Sequence, residues 1–68
     1  MNFQIREAVT TNVKGESPVE FRNMVEDAIE RGEEHLLPGL GVLLEKWWQT
    51  SNTTEQDAFV EKLSKGFH

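Results

Sequence analysis

The sequence contains no cysteine, and only two of its 68 residues are proline. Without cysteine the chain can form no disulfide and offers no thiolate ligand to zinc or to an iron–sulfur cluster. Basic residues are also few, since seven Lys and Arg stand against twelve Asp and Glu and give a formal net charge of −5. This balance argues against a protein that binds nucleic acid by neutralising phosphates and against a polybasic membrane anchor.

Long hydrophobic runs are absent as well. The longest apolar stretch covers the nine residues 36–44 and is interrupted by Pro38, Gly39 and Gly41, whereas a membrane-spanning helix needs about 20 apolar residues. No N-terminal segment has the order of a signal peptide. We therefore expect a soluble, cytoplasmic protein with no membrane contact. A chain of this length buries only about 60% of its unfolded surface, so we expect one helical domain over residues 1–68 and no deep catalytic cleft.

Four segments have the apolar spacing of amphipathic helices. The first covers about residues 3–14, with Asn2 as a candidate N-cap and Gly15 at the position where a left-handed residue ends a helix. Its apolar stripe consists of Ile5, Ala8, Val9 and Val13. We expect this stripe to face the interior of the molecule.

The second segment has the clearest boundaries. Ser17 is followed by Pro18 and, three positions on, by Glu20, a pattern that predicts a capping box with proline at the first helical position. We expect the helix to end at about Arg31, before Gly32, with an ion pair between Asp27 and Arg31. Its apolar stripe consists of Phe21, Met24, Val25, Ala28 and Ile29.

A short helical turn over residues 33–36 precedes the third segment. Because a residue before proline avoids the helical region, Pro38 predicts an extended Leu37 and a helix over about residues 39–49. Apolar side chains cover most of this helix, namely Leu40, Val42, Leu43, Leu44, Trp47 and Trp48. A helix that is apolar nearly all round is typical of a central position in a fold.

The fourth segment follows a polar linker over residues 50–53. Thr53 with Gln56, or Thr54 with Asp57, predicts a second capping box, and Gly66 is expected just beyond the end of the helix, near residue 65. Its inner face consists of Ala58, Phe59 and Leu63, flanked by Val60 and Phe67. Together the four segments predict an all-α fold, a small bundle of three to four short helices with a central apolar helix.

No residue pattern points to catalysis or to a cofactor. His35 follows Glu33 and Glu34, but adjacent helical side chains point about 100° apart and do not converge on one metal ion. Residues 39–44 begin like a dinucleotide-binding fingerprint, yet they lack its third glycine and follow Pro38 instead of a strand. We therefore predict no catalytic residue, no metal ligand and no cofactor.

The adjacent Trp47 and Trp48 are the most informative pair. Successive residues on a helix cannot both face the same stripe, so one interpretation is that one tryptophan remains partly exposed in a contact surface. The alternative is that the third helix is wedged among the others and buries both. The candidate interface consists of Leu40, Leu44, Trp47 and Trp48. It predicts either a homodimer or a protein partner, whereas the alternative predicts a compact monomer.

The central part of the chain also resembles a known family. Residues 32–45, Gly-Glu-Glu-His-Leu-Leu-Pro-Gly-Leu-Gly-Val-Leu-Leu-Glu, look like the central signature of small acid-soluble spore protein I. Residues 5–9, 12–15 and 25–29 are similar to other parts of that family. The resemblance implies a protein of endospore-forming bacteria that is made in the forespore cytoplasm and held in the spore core. It brings no catalytic residue and no defined ligand.

The α/β-type spore proteins are a different group. They coat DNA and carry a protease-recognition motif of the kind Thr-Glu-Phe-Ala-Ser-Glu-Phe, of which Thr54 and Glu55 match only the first two residues. We therefore expect no nucleic-acid partner. The leading hypothesis is a non-enzymatic minor small acid-soluble spore protein that acts in sporulation or spore outgrowth by accumulation or by protein contact. The alternative is a small helical adaptor that binds a protein partner through the candidate interface.

Overall fold

The computed structural model describes residues 4–68 and consists of helices joined by short connections. Helix α1 covers Ile5–Val13, α2 covers Pro18–Arg31, a 3-10 turn covers Glu34–Leu36, α3 covers Leu37–Thr50 and α4 covers Thr53–Gly66. Within residues 4–68 there is no strand. The prediction of an all-α fold built as a small helical bundle is therefore confirmed. In the same part of the chain, no helix is long and apolar enough to cross a membrane.

Helix α1 packs one apolar side against α3. Ile5, Val9 and Val13 are half-buried, but Ala8 is exposed, so the inward stripe is narrower than predicted. Gly15 follows the helix with a φ of 86°, the left-handed conformation that was expected of it. The predicted cap at Asn2 and start at Phe3 lie outside the described residues.

Helix α2 begins with the predicted capping box. The Ser17 hydroxyl accepts a hydrogen bond from the Glu20 amide at 3.2 Å, and the Glu20 carboxylate accepts one from the Ser17 amide at 2.8 Å. The helix ends at Arg31, before a left-handed Gly32. Arg31 pairs with Asp27 at 3.5 Å, as predicted. Ile29 belongs to the predicted apolar stripe but is 66% exposed, so this stripe too is narrower than expected.

Helix α3 starts two residues earlier than the sequence predicts. A 3-10 turn leads into it, as expected, but Leu37 has helical angles, φ −59° and ψ −41°, and the prediction of an extended Leu37 is wrong. Pro38 lies in the first helical turn, where its missing N–H would have no partner in the helix. Residues before proline prefer extended angles, but the preference is not absolute. The preceding 3-10 turn already gives Leu36 helical backbone angles, and Leu37 continues them.

The ends of α4 also differ from the prediction. The N-cap is Asn52, whose side chain accepts a hydrogen bond from the Glu55 amide at 2.8 Å, while Glu55 accepts one from the Asn52 amide at 3.0 Å. The capping boxes predicted at Thr53 and Thr54 are therefore wrong, because Asn is at least as good a cap as Thr and lies one position earlier. Gly66 is the last helical residue and not the one beyond the end.

Helix α3 holds the bundle together. Its main contacts are with α1, with the preceding 3-10 turn and with α2, whereas α4 meets it through Trp47 and Phe59, whose ring centroids are 5.0 Å apart. Among the described residues no side chain is fully buried. The radius of gyration is 13.3 Å, compared with about 11 Å for a compact domain of this length. The helices therefore form an open arrangement around α3.

Candidate protein-interaction surface on α3

An ion pair fixes the position of α1 on α3. The Arg6 guanidinium donates two hydrogen bonds to the Glu45 carboxylate, from Nε at 2.7 Å and from Nη2 at 2.8 Å. These hydrogen bonds lower the pKa of Glu45 below its usual range and raise the pKa of Arg6. Both groups remain accessible to water, so the pair contributes more to orientation than to stability.

The side of α3 that faces the bundle is formed by half-buried residues. Leu40 and Leu43 line a small apolar cavity of about 210 Å³ against Val9 and Met24 of the two preceding helices. Val42 and Glu45 turn toward α1. Leu40, Val42, Leu43 and Glu45 are therefore side chains of α3 that other parts of the same chain partly cover.

The opposite side of α3 is apolar and partly exposed to solvent. Leu37, Gly41, Leu44 and Trp48 follow one another at steps of four, three and four residues, so they lie in one line along the helix. Leu37 is 59% exposed, Leu44 44% and Trp48 42%. We call these four residues the outer face of α3. It contains no charged side chain, and three of the nine large apolar side chains that the described residues expose lie on it.

The predicted interface residues fall into two groups. Leu44 and Trp48 lie on the outer face, and Leu40 lies beside it but is half-buried. Trp47 is 37% exposed and packs its ring against Phe59 of α4. Neither tryptophan is buried within the chain, in contrast to the alternative in which α3 is wedged among the other helices. That these residues form an interface stays a prediction.

The junction between α3 and α4 is held by side chains. The Gln56 amide donates hydrogen bonds to the carbonyl of Trp48 at 2.8 Å and to that of Ser51 at 3.4 Å. The hydroxyls of Thr50 and Ser51 donate to the carbonyls of Lys46 and Trp47. The bonds to the carbonyls of Trp47 and Trp48 lie in the last turn of α3, where carbonyls lack the usual partner four residues on within the helix. Gln56 therefore joins the two helices and does not form the predicted capping box with Thr53, and no sequence pattern predicts this role.

The remaining candidate groups are dispersed. His35 approaches Glu33 at 3.7 Å but is largely in solvent. Within residues 4–68, no three His, Asp or Glu side chains come close enough together to hold a metal ion. A cavity of about 740 Å³ is an open groove between α1 and α3, lined by Val9, Val42 and Trp47 and by the Arg6–Glu45 pair. Its lining contains no His and no Ser, so it offers no hydroxyl–imidazole pair for nucleophilic catalysis.

Comparison with known proteins decides the family. The sequence model of small acid-soluble spore protein I matches residues 3–67. The chain belongs to the small acid-soluble spore protein I family. This confirms the resemblance carried by the Leu-Pro-Gly-Leu-Gly-Val run, and it makes the chain a spore protein.

Curated relatives match the sequence over nearly the whole chain. The chain is 42% identical over 66 residues to small acid-soluble spore protein I of Halalkalibacterium halodurans, covering 97% of each protein. It is 40% identical over 68 residues to that of Shouchella clausii, covering 100% of this chain and 99% of the relative. The Bacillus cereus protein is 42% identical over 66 residues, covering 97% and 96%. No solved structure matches the chain.

Proposed function

We propose that this member of the small acid-soluble spore protein I family is a non-enzymatic protein of the spore core that acts in sporulation or spore outgrowth by accumulation and protein contact. The observation that carries the proposal is the outer face of α3. Leu44 and Trp48 stay exposed there, and adjacent exposed apolar side chains on a small folded chain are typical of an interaction surface. Family membership supports the place of action, which is the forespore and then the spore core.

Three further properties support a role that needs no chemistry. Gln56 and Asn52 hydrogen-bond to the backbone at the ends of α3 and α4. The one ion pair that joins distant parts of the described chain, Arg6 with Glu45, orients two helices. The net charge of −5 favours solubility at high concentration, which suits a protein that acts by accumulating.

The place of action is tested by fractionating spores. An antibody against the chain should detect it in extracts of decoated, broken spores and not in the coat fraction, with the signal appearing after the forespore is engulfed. A deletion strain should form spores with delayed outgrowth and should be restored by the wild-type gene. Detection only in the coat fraction, or only in the mother cell, would refute the spore-core assignment.

A second candidate is the adaptor, which the exposure of Trp47 and Trp48 favours. An adaptor would carry one specific partner at a fixed stoichiometry when it is purified from spores. The partner should be lost with Trp48→Glu and retained with Ile29→Glu, a matched change at an exposed position on α2. Purification of the wild-type chain without a stoichiometric companion would count against the adaptor and leave the first proposal standing.

A further inference from the structure

The chain exposes more surface than a folded monomer of its size. Its accessible area is 5984 Å², whereas a compact monomer of 7.8 kDa exposes about 4,400 Å². The excess of about 1,600 Å² is twice the roughly 800 Å² that each partner buries in an interface of standard size. A partner that buries about 800 Å² of this chain would remove about half of that excess.

The outer face of α3 is complementary to itself. Leu37 and Trp48 are equally far from the midpoint between Val42 and Leu43, and so are Gly41 and Leu44. When a second α3 is laid antiparallel on the first, Leu37 therefore faces Trp48 of the other copy, and Gly41 faces Leu44 of the other copy. The second pairing sets a residue without a side chain against a large one, and it occurs twice about a two-fold axis.

Gly41 provides the space that this pairing needs. A Cβ atom built on Gly41 has no neighbour within 4 Å outside its own helix, so the notch is open in the single chain. Glycine at the crossing point lets two helices approach closely, and a leucine from the other copy fills the gap. Glu45 lies beside this face and is already paired with Arg6. Covering the face therefore does not bury an unpaired charge.

We propose that a second copy of this chain covers the outer face of α3, with the two α3 helices antiparallel and Gly41 of each receiving Leu44 of the other. The resulting dimer is closed and isologous, the commonest arrangement among soluble oligomers. The inference rests on the proposed function in one respect, since it names a partner for the contact surface. Because each chain carries a charge of −5, added salt should strengthen the association by screening repulsion.

Sedimentation equilibrium on the full chain tests the association. From about 1 µM to about 1 mM the mass should rise from 7.8 kDa to twice that value, since weak to moderate homodimers dissociate in this range. Truncating a central aromatic anchor weakens binding about 30-fold or more. Trp48→Ala removes two such anchors from each dimer, so its dissociation constant should rise at least about 100-fold. The control Ile29→Ala should change it less than about threefold.

Substitutions at Gly41 and Leu44 test the register. Gly41→Leu should weaken the dimer by filling the notch, although it should raise the thermal midpoint of the dilute monomer because leucine is the better helix former. Leu44→Gly should weaken it by removing the side chain that fills the notch. The double variant Gly41→Leu/Leu44→Gly restores one large and one small residue in each pair, and it should dimerise within about tenfold of wild type.

Two results would overturn the inference, and both are distinct from failure of the proposed function. A wild-type chain that stays monomeric at millimolar concentration would exclude the second copy as the occupant. A double variant as weak as the two single changes combined would exclude the antiparallel pairing of Gly41 with Leu44. Spore fractionation depends on neither result, so the spore-core assignment would stand or fall by itself.

Discussion

Removing the Ser17 hydroxyl should lower the free energy of unfolding measurably, because α2 loses a hydrogen bond at its N-terminus. In Ser17→Ala the Glu20 amide loses its acceptor at 3.2 Å, while the reciprocal bond from the Ser17 amide to the Glu20 carboxylate can remain. Loss of a capping hydroxyl costs about 0.5–2 kcal/mol. Since the broken bond is long and exposed and half of the box survives, we expect about 1 kcal/mol. For a domain of this size that lowers the thermal midpoint by about 4–8 °C.

Thermal and urea unfolding followed by circular dichroism measure the effect, at one protein concentration below any association. Ser64→Ala is the matched control, because Ser64 lies inside exposed α4 and alanine is the better helix former there. The control should leave the midpoint unchanged or raise it. If Ser17→Ala also left the midpoint and the urea slope unchanged, the Ser17 hydroxyl would contribute nothing to the stability of α2.

Three further predictions concern the ion pair, the helix junction and DNA. Arg6 lowers the pKa of Glu45, so the ion pair stabilises the fold above the usual pKa range of a carboxylate and stops doing so as pH falls through the lowered pKa. The unfolding midpoints of wild type and Glu45→Gln should therefore converge at acid pH. A constant difference between them down to about pH 2 would contradict this. Gln56→Ala should lower the free energy of unfolding in urea by about 0.5–1.5 kcal/mol, because it removes the hydrogen bond to the Trp48 carbonyl. Gln49→Ala, the control on α3, should lower it little. Equal losses in the two variants would show that Gln56 does not stabilise the junction of α3 and α4. We expect no appreciable binding to duplex DNA at physiological salt, and a mobility shift at submicromolar protein with a steep salt dependence would refute this.

The sequence predicts those features that depend on neighbouring residues alone. The capping box at Ser17 and the left-handed Gly32 are examples, since each is decided by hydrogen bonds and sterics within a few positions. Leu37 and Asn52 show the limit of such rules. At Leu37 the preceding 3-10 turn prevails over the preference that proline imposes. At Asn52 two capping patterns that both follow local rules overlap, and the one with Glu55 forms.

The wrongly predicted start of α3 affected the prediction of the interface as well. Leu44 and Trp48 follow from the apolar circumference of α3, and both lie on the outer face. Leu37 and Gly41 were not among the predicted interface residues, because a helix that starts at residue 39 has no place for Leu37 and because glycine adds no apolar side chain to a stripe. The contact between Arg6 and Glu45 joins residues 39 positions apart, and no periodicity along one helix predicts it.

If a second copy covers the outer face of α3, Trp48 leaves water on association and its fluorescence can report this directly. In the variant Trp47→Phe, Trp48 is the one remaining tryptophan, and its fluorescence follows the polarity around it. Between about 1 µM and about 1 mM, the range of a moderate homodimer, the emission should shift to shorter wavelength as Trp48 leaves water. Trp48→Phe, which reports on Trp47 beside Phe59, should shift much less. Emission from Trp48 that stays at the same long wavelength across this range would contradict the account.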